Sequence, residues 1–127
     1  MVRKKETRPL AAIGHVSMRV GDVTAATDYF VDMGLRHITQ SETMGILELR
    51  GGTHLVLRAG DDDIAAGTKA PFDLMVDDVA ATRADYVDKG LDASEVETGR
   101  VHRWFELTTP DGYVITVTSS HVSGQPV

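Results

Sequence analysis

The sequence repeats itself. Residues 20–35 and 76–91 follow one pattern and lie 56 positions apart. Eight of the sixteen aligned positions are identical, and Phe30 aligns with Tyr86. Both segments carry the same helix-start and helix-end signals, which favours a true duplication over a chance likeness. A repeat of this kind is one supersecondary unit, so we expect the chain to fold as two copies of that unit.

Each copy contains a helix signal with a start and a stop. Asp22 and Asp78 are predicted N-cap residues, because a carboxylate can accept hydrogen bonds from the free N–H groups of a first turn. Gly34 and Gly90 stand where a left-handed residue commonly ends a helix. The pattern between them predicts two helices of about eleven residues, each with one apolar face.

The remainder of each copy is predicted to form β-strands. Apolar residues alternate before each helix, and three further strand segments follow it. Residues 51–52 and 109–112 are the turn signals between the last two strands of each copy. The predicted strands are 16–20, 35–41, 44–50 and 53–58 in the first copy, and 72–76, 91–97, 101–108 and 113–119 in the second.

These elements predict an α+β fold of two tandem βαβββ modules. We expect a single domain over 1–127, with module one at about 12–58, a linker at 59–70 and module two at about 71–119. A four-stranded sheet with one helix has only one face covered. The other face of each sheet must therefore be buried or line a cavity.

Composition narrows the class of protein. The 127 residues carry a formal net charge of -6, which disfavours nucleic acid as a partner. No apolar run approaches the roughly 20 residues of a membrane span, and the N-terminus lacks the apolar stretch of a signal peptide. We therefore expect a cytoplasmic protein that does not bind a membrane. The chain has no cysteine, so a metal site would need His, Asp or Glu.

Two segments, 15–22 and 109–115, resemble motifs of the vicinal oxygen chelate superfamily. That group includes glyoxalase I, extradiol dioxygenases and bleomycin-resistance proteins. The second segment is similar to the family's Asp-Pro-Asp-Gly hairpin, with Thr109 in place of the first Asp. The resemblance covers about residues 12–121. It implies that the two modules form a curled mixed sheet around a cleft with the helices on the outer face, and that the protein is a homodimer.

The resemblance also implies four metal-ligand positions, one on the first and one on the last strand of each module. His15 matches the first position, whereas Val56, Pro71 and Thr116 occupy the other three. Structural and catalytic sites for metals such as zinc use at least three protein ligands. We therefore expect that the standard metal site is lost and that the protein has no cofactor. A divalent metal at His15 with non-standard ligands is the alternative.

Strand alternation predicts which side chains line the cleft. One face of the predicted strands is apolar, and the opposite face holds ionisable residues and the only tryptophan. Trp104 on that face would be a stacking platform for a planar molecule. The residues predicted to bind a ligand are Ser17, Arg19, His54, Asp73, His102, Trp104 and Thr116. The candidate catalytic residues are His15, Glu48 and Glu106.

Two functions follow from these residues. The first is a metal-independent protein that binds a small planar organic molecule in its cleft. The second is a lyase, isomerase or dioxygenase that uses His15 with non-standard ligands, or with Glu48 or Glu106 as acid–base groups. The two glutamates could equally form ion pairs with arginines on the same sheet face.

Overall fold

A computed structural model describes residues 8–60 and 64–120 of the chain. The acidic triplet of the predicted linker, 61–63, and the basic N-terminal residues 1–7 lie outside the described residues. Each module contains one helix and its own sheet. The elements of module one are β1 (His15–Val20), α1 (Val23–Met33), β2 (Arg36–Gln40), β3 (Met44–Glu48) and β4 (His54–Ala59). Those of module two are β5 (Leu74–Val76), α2 (Val79–Asp88), β6 (Asp92–Ala93), β7 (Glu97–Thr98), β8 (Arg103–Thr108) and β9 (Val114–Ser119).

The two sheets have the same topology. In module one the strand order is β1-β4-β3-β2, with β1 parallel to β4 and the other pairs antiparallel. In module two the order is β5-β9-β8-β6, with β5 parallel to β9, and β7 also pairs with β8. Neither sheet closes on itself. The predicted α+β fold of two βαβββ modules is confirmed, and the repeated topology agrees with a duplication.

The capping residues predicted from the sequence hold both helix starts. Asp22 Oδ1 accepts a hydrogen bond of 3.0 Å from the N–H of Ala25, and Asp78 Oδ1 accepts one of 2.9 Å from the N–H of Ala81. Gly34 follows α1 with φ of 114°, in the left-handed region where a side chain would be strained. The helix boundaries are therefore set by local sequence, as predicted.

One predicted strand of module two is wrong in extent. Residues 91–97 were expected to form a single strand, but β6 and β7 are separate two-residue strands. Between them the hydroxyl of Ser94 accepts a hydrogen bond of 2.8 Å from the N–H of Glu106, and Arg83 Nε donates to the Ser94 carbonyl at 2.6 Å. Because the Ser94 hydroxyl and the Arg83 side chain bind these backbone groups, the regular backbone hydrogen bonding between the strands is interrupted here.

The helices and the apolar sheet faces enclose one core that spans both modules. Strand residues of the predicted core face are fully buried, including Leu47, Leu55, Leu57, Phe105, Leu107, Ile115 and Val117. Hydrogen bonds also join the modules: Tyr113 donates its hydroxyl to the Arg19 carbonyl at 2.7 Å, Gly21 donates its N–H to Asp111 at 3.0 Å, and Arg50 donates to the carboxylate of Asp77. Alternation then leaves the polar residues of both sheets on the faces turned away from this core.

In the part of the chain that the structure describes, no helix has the length and apolar character needed to cross a membrane.

Candidate functional site

The polar face of module two contains a cavity of about 460 Å³ beside Trp104. Four residues predicted to bind a ligand line it together: Asp73, His102, Trp104 and Thr116. Phe105, the next residue of β8, points the other way and packs edge-on against the ring of Tyr86 at 6.0 Å. The alternation of β8 therefore puts Trp104 in the cavity and Phe105 in the core.

The Trp104 ring is held by the turn that precedes its strand. A Cβ added at Gly99 would lie 2.9 Å from the indole Cζ3, so the ring rests directly against backbone. Gly99 donates its N–H to the carbonyl of His102 at 2.8 Å, which closes this turn. On β9 the residue directly opposite Trp104 is Thr118. The indole is thus positioned before any ligand binds, which lowers the entropy cost of binding.

His102 is fixed at the edge of the same cavity. Its Nδ1 lies 3.1 Å from the carbonyl of Ser119 and 3.3 Å from the hydroxyl of Thr118. A carbonyl oxygen can only accept, so Nδ1 carries the proton in the first contact. The imidazole therefore has a defined orientation beside Trp104.

Lys69 supplies a cation at the cavity and links it to Glu106. Its Nζ lies 3.8 Å from Glu106 Oε2 and 3.4 Å from the hydroxyl of Thr116. Glu106, a predicted catalytic residue, is therefore in an ion pair at the border of the cavity. Lys69 was assigned to a solvated linker, but it forms a β-bridge with Val114 that brings it to the sheet.

Module one carries a row of ionisable side chains across its four strands, which we call the charged row. His15 is opposite His54, His54 is opposite Glu48, and Glu48 is opposite Arg36. Glu48 Oε1 accepts from Arg36 at 2.6 Å, Glu48 Oε2 lies 3.4 Å from His54 Nε2, and the two imidazole centroids are 5.5 Å apart. Arg36 was not predicted, although the register of two neighbouring strands places it there.

Within one chain, most of the predicted site residues thus fall into two groups. Among residues 8–60 and 64–120, no hydrogen bond or ion pair joins the charged row to the residues around Trp104. None of its four members lines the Trp104 cavity. Ser17 and Arg19 are exposed on β1 and belong to neither group.

The residues present do not fit the metal that the fold family implies. Val56 is buried and offers no donor atom, Pro71 cannot ligate, and the Thr116 hydroxyl contacts Lys69. Within the described ranges, no three His, Asp or Glu side chains are grouped so that they could hold a metal ion. His15 therefore lacks the partner ligands that such a site needs.

Four residues line the cavity that were not predicted to bind a ligand: Lys69, Met75, Thr118 and Ser119. Met75 and Thr118 share the polar face by alternation and also share a register pair, so strand pairing was the signal that could have found them. The site is consequently built from three neighbouring strands, β5, β9 and β8.

No sequence profile of a protein family matches this chain, and no curated protein is similar enough to count as a relative. Solved structures are similar in fold. Lactoylglutathione lyase from Agrobacterium tumefaciens superposes with a TM-score of 0.73 at 15% identity, covering 92% of this chain and 99% of that chain. TnmS3, an antibiotic binding protein from a Streptomyces species, has a TM-score of 0.72 at 22% identity and covers 89% and 98%.

A glyoxalase/bleomycin resistance protein/dioxygenase from Alicyclobacillus acidocaldarius gives a TM-score of 0.71 at 14% identity, covering 89% of this chain and 94% of that chain. At these identities the likeness concerns the fold and not the activity. The neighbours agree with the topology of the two modules described above. The chain therefore has the vicinal oxygen chelate fold of the glyoxalase/bleomycin resistance protein/dioxygenase superfamily.

Proposed function

We propose that this protein binds a small planar organic molecule in the Trp104 cavity without a metal ion. The observation that carries the proposal is the only tryptophan of the chain, set against the Gly99 backbone in a cavity with charged and hydroxyl groups. Binding sites for small molecules typically combine such an apolar surface with a few positioned polar groups.

The groups around Trp104 indicate the chemistry of the ligand. The indole offers a flat surface for stacking. Lys69 offers a cation, Asp73 an anion and Thr116 a hydroxyl at the same cavity. The volume of about 460 Å³ lies within the range of cavities that hold one drug-sized molecule. A mid-sized aromatic or heteroaromatic molecule with polar substituents fits this set better than a small dicarbonyl.

The structural neighbours support binding as a function that this fold can serve. One of them is described as an antibiotic binding protein. The donor set supports the metal-free part of the proposal, because three of the four expected ligand positions hold Val56, Pro71 and Thr116. A chelator should therefore leave the melting temperature unchanged, whereas one equivalent of tightly bound metal, lost on His15→Ala, would contradict this part.

The test is a calorimetric titration with a panel of naphthalene, quinoline and flavin compounds. Trp104→Ala should weaken binding of a hit at least several-fold, since stacking is worth about 0.5–1.5 kcal/mol beyond the area buried. Trp104→Phe should retain part of the affinity because it keeps an aromatic surface. Val101→Ala, at a nearby exposed residue, is the control. Equal affinity for wild type and Trp104→Ala would contradict the proposal.

We also propose that the protein is a homodimer. Among the described residues, β1 and β2 each have a strand partner on one side only, and Ile38 of β2 is an exposed apolar residue. Exposed edges and apolar side chains favour association. Light scattering should give the mass of two chains at micromolar concentration, and a mass near one chain would contradict dimerisation.

The charged row favours a second candidate function, acid–base catalysis on a substrate bound at that row. Its carboxylate, Glu48, contacts a cation and an imidazole at once, which is how a histidine base is commonly oriented. A neighbour of this fold is a lactoylglutathione lyase. If the row is catalytic, His54→Gln should abolish conversion of the substrate, followed by mass spectrometry, while His37→Gln, at an exposed strand histidine outside the row, retains it.

A further inference from the structure

The Trp104 cavity borders a second cavity of about 470 Å³, which lies between the modules. Asp73 and Met75 line both cavities. The second cavity is otherwise mostly apolar, and its walls include Ile13, Val16, Leu49, Phe72 and Leu74. The two cavities are thus neighbours on either side of β5.

The strand between the cavities is a sheet edge. β5 pairs only with β9, and in that pairing Met75 is opposite Thr118, which is itself opposite Trp104. Met75 therefore lies two strand spacings, about 10 Å, from Trp104 on the same face. Leu74 of this strand and Phe72, which precedes it, line the cavity between the modules. A molecule stacked on Trp104 can extend over Met75 and around this edge.

The cavity between the modules has an apolar wall and one cationic end. Val16, Leu49 and Phe72 pack against the core but are only partly buried, so their apolar surface stays open to a ligand. Arg50 contacts both carboxylate oxygens of Asp77 through Nη1, at 3.1 and 3.0 Å. Its other N–H groups have no hydrogen-bond partner among the described residues. An acidic group at this end would complete the arginine's hydrogen bonding.

We propose that the ligand is an elongated amphiphile whose planar head stacks on Trp104, whose apolar arm lies in the cavity between the modules, and whose acidic end meets Arg50. This inference rests on the proposed binding function. The residues shared by the two cavities favour one extended small molecule as the occupant over a second protein chain.

The experiment compares two fluorescent probes with the same planar head, dansylamide and dansylamino-undecanoic acid. Wild-type protein should bind the long probe at least ten-fold more tightly, because only that probe has an arm to bury. Ile13→Ser should remove most of this advantage without changing dansylamide binding, since Ile13 lines only the second cavity. Leu10→Ser is the matched control: Leu10 is 105% exposed, Ile13 is 65% exposed, and only Ile13 lines the cavity.

Arg50→Gln tests the acidic end. It should weaken binding of the long acid several-fold and leave binding of its methyl ester unchanged, because the ester carries no charge to meet the guanidinium. An equal loss for acid and ester would overturn the assignment of Arg50.

The results separate this inference from the proposed function. If Trp104→Ala weakens both probes but wild type does not prefer the long one, the extended site is wrong and the planar site stands. The extended site is also wrong if Leu10→Ser acts as strongly as Ile13→Ser, or if Ile13→Ser dissociates a dimer in light scattering. If Trp104→Ala changes neither probe, or neither probe binds, both proposals are contradicted.

Discussion

The two modules share one topology but carry different chemistry on their polar faces. In module one, one row across the sheet holds Arg36, Glu48, His54 and His15. The matching row of module two holds Asp92, Thr108 and Val114. Within the described part of the chain, none of these three residues forms an ion pair. Module two instead has the Trp104 cavity. The core and caps of a duplicated fold can thus be kept while each sheet face takes a separate role.

The modules also differ in how the helix meets its sheet. Gly45 of β3 and Phe105 of β8 hold matching positions, opposite Leu57 and Val117. A Cβ at Gly45 would lie 2.6 Å from the Thr27 hydroxyl, so α1 lies close to its sheet, whereas the Phe105 ring separates α2 from its own. Consequently α1 buries six side chains and α2 buries two: Val23, Ala26, Thr27, Tyr29, Phe30 and Met33 against Val79 and Tyr86.

The largest effect should come from removing the ring that fills module two. Phe105 is fully buried, so Phe105→Ala should cost about 3–5 kcal/mol of unfolding free energy through lost burial and a cavity. Urea denaturation followed by circular dichroism measures this. A loss no larger than that of Val101→Ala, at an exposed apolar residue, would show that the ring does not support α2.

Adding a methyl group at Gly45, where α1 lies close to its sheet, should have a smaller effect. Gly45→Ala should destabilise the protein by about 1–3 kcal/mol, because the new methyl group meets the Thr27 hydroxyl. Combining it with Thr27→Ala should recover part of the loss, since the two sites share one contact. Gly14→Ala is the control, because nothing lies within 4 Å of a Cβ there. Additive losses in the double variant would contradict the close approach of α1.

Tyr29 of α1 has a buried hydroxyl with no hydrogen-bond partner among the described residues. Tyr29→Phe should therefore stabilise the protein by about 1 kcal/mol in urea denaturation. Burial, with smaller contributions from Tyr86 and Asp92, raises the pKa of Tyr29. An unfolded tyrosine ionises near pH 10 whereas the buried one stays protonated, so the unfolding free energy is unaffected by this group below that pH and falls as the pH rises above it.

The same variant tests this pH dependence. Above about pH 10 the unfolding free energy of the wild type should fall more steeply than that of Tyr29→Phe. Parallel curves for the two proteins would mean that this hydroxyl reaches water.

The sequence predicted those features that are determined by local pattern. The repeat, the caps Asp22 and Asp78, and the alternation that separates Trp104 from Phe105 all appear in the structure. The break at Ser94 was not predictable from alternation, because it depends on a hydrogen bond to Glu106 in another strand. Alternation likewise predicts the sheet face on which a residue lies, but not which residues of the two sheets contact each other. The grouping of the site residues within one chain was therefore not predictable from alternation.

We propose that the ligand binds at the Trp104 cavity and not at the charged row. Calorimetric titration of dansylamide into wild type, Trp104→Ala and His54→Ala tests it directly, since each variant removes one ring from one group. The dissociation constant should be at least several-fold higher for Trp104→Ala and unchanged for His54→Ala. Loss of affinity in His54→Ala with none in Trp104→Ala would contradict it.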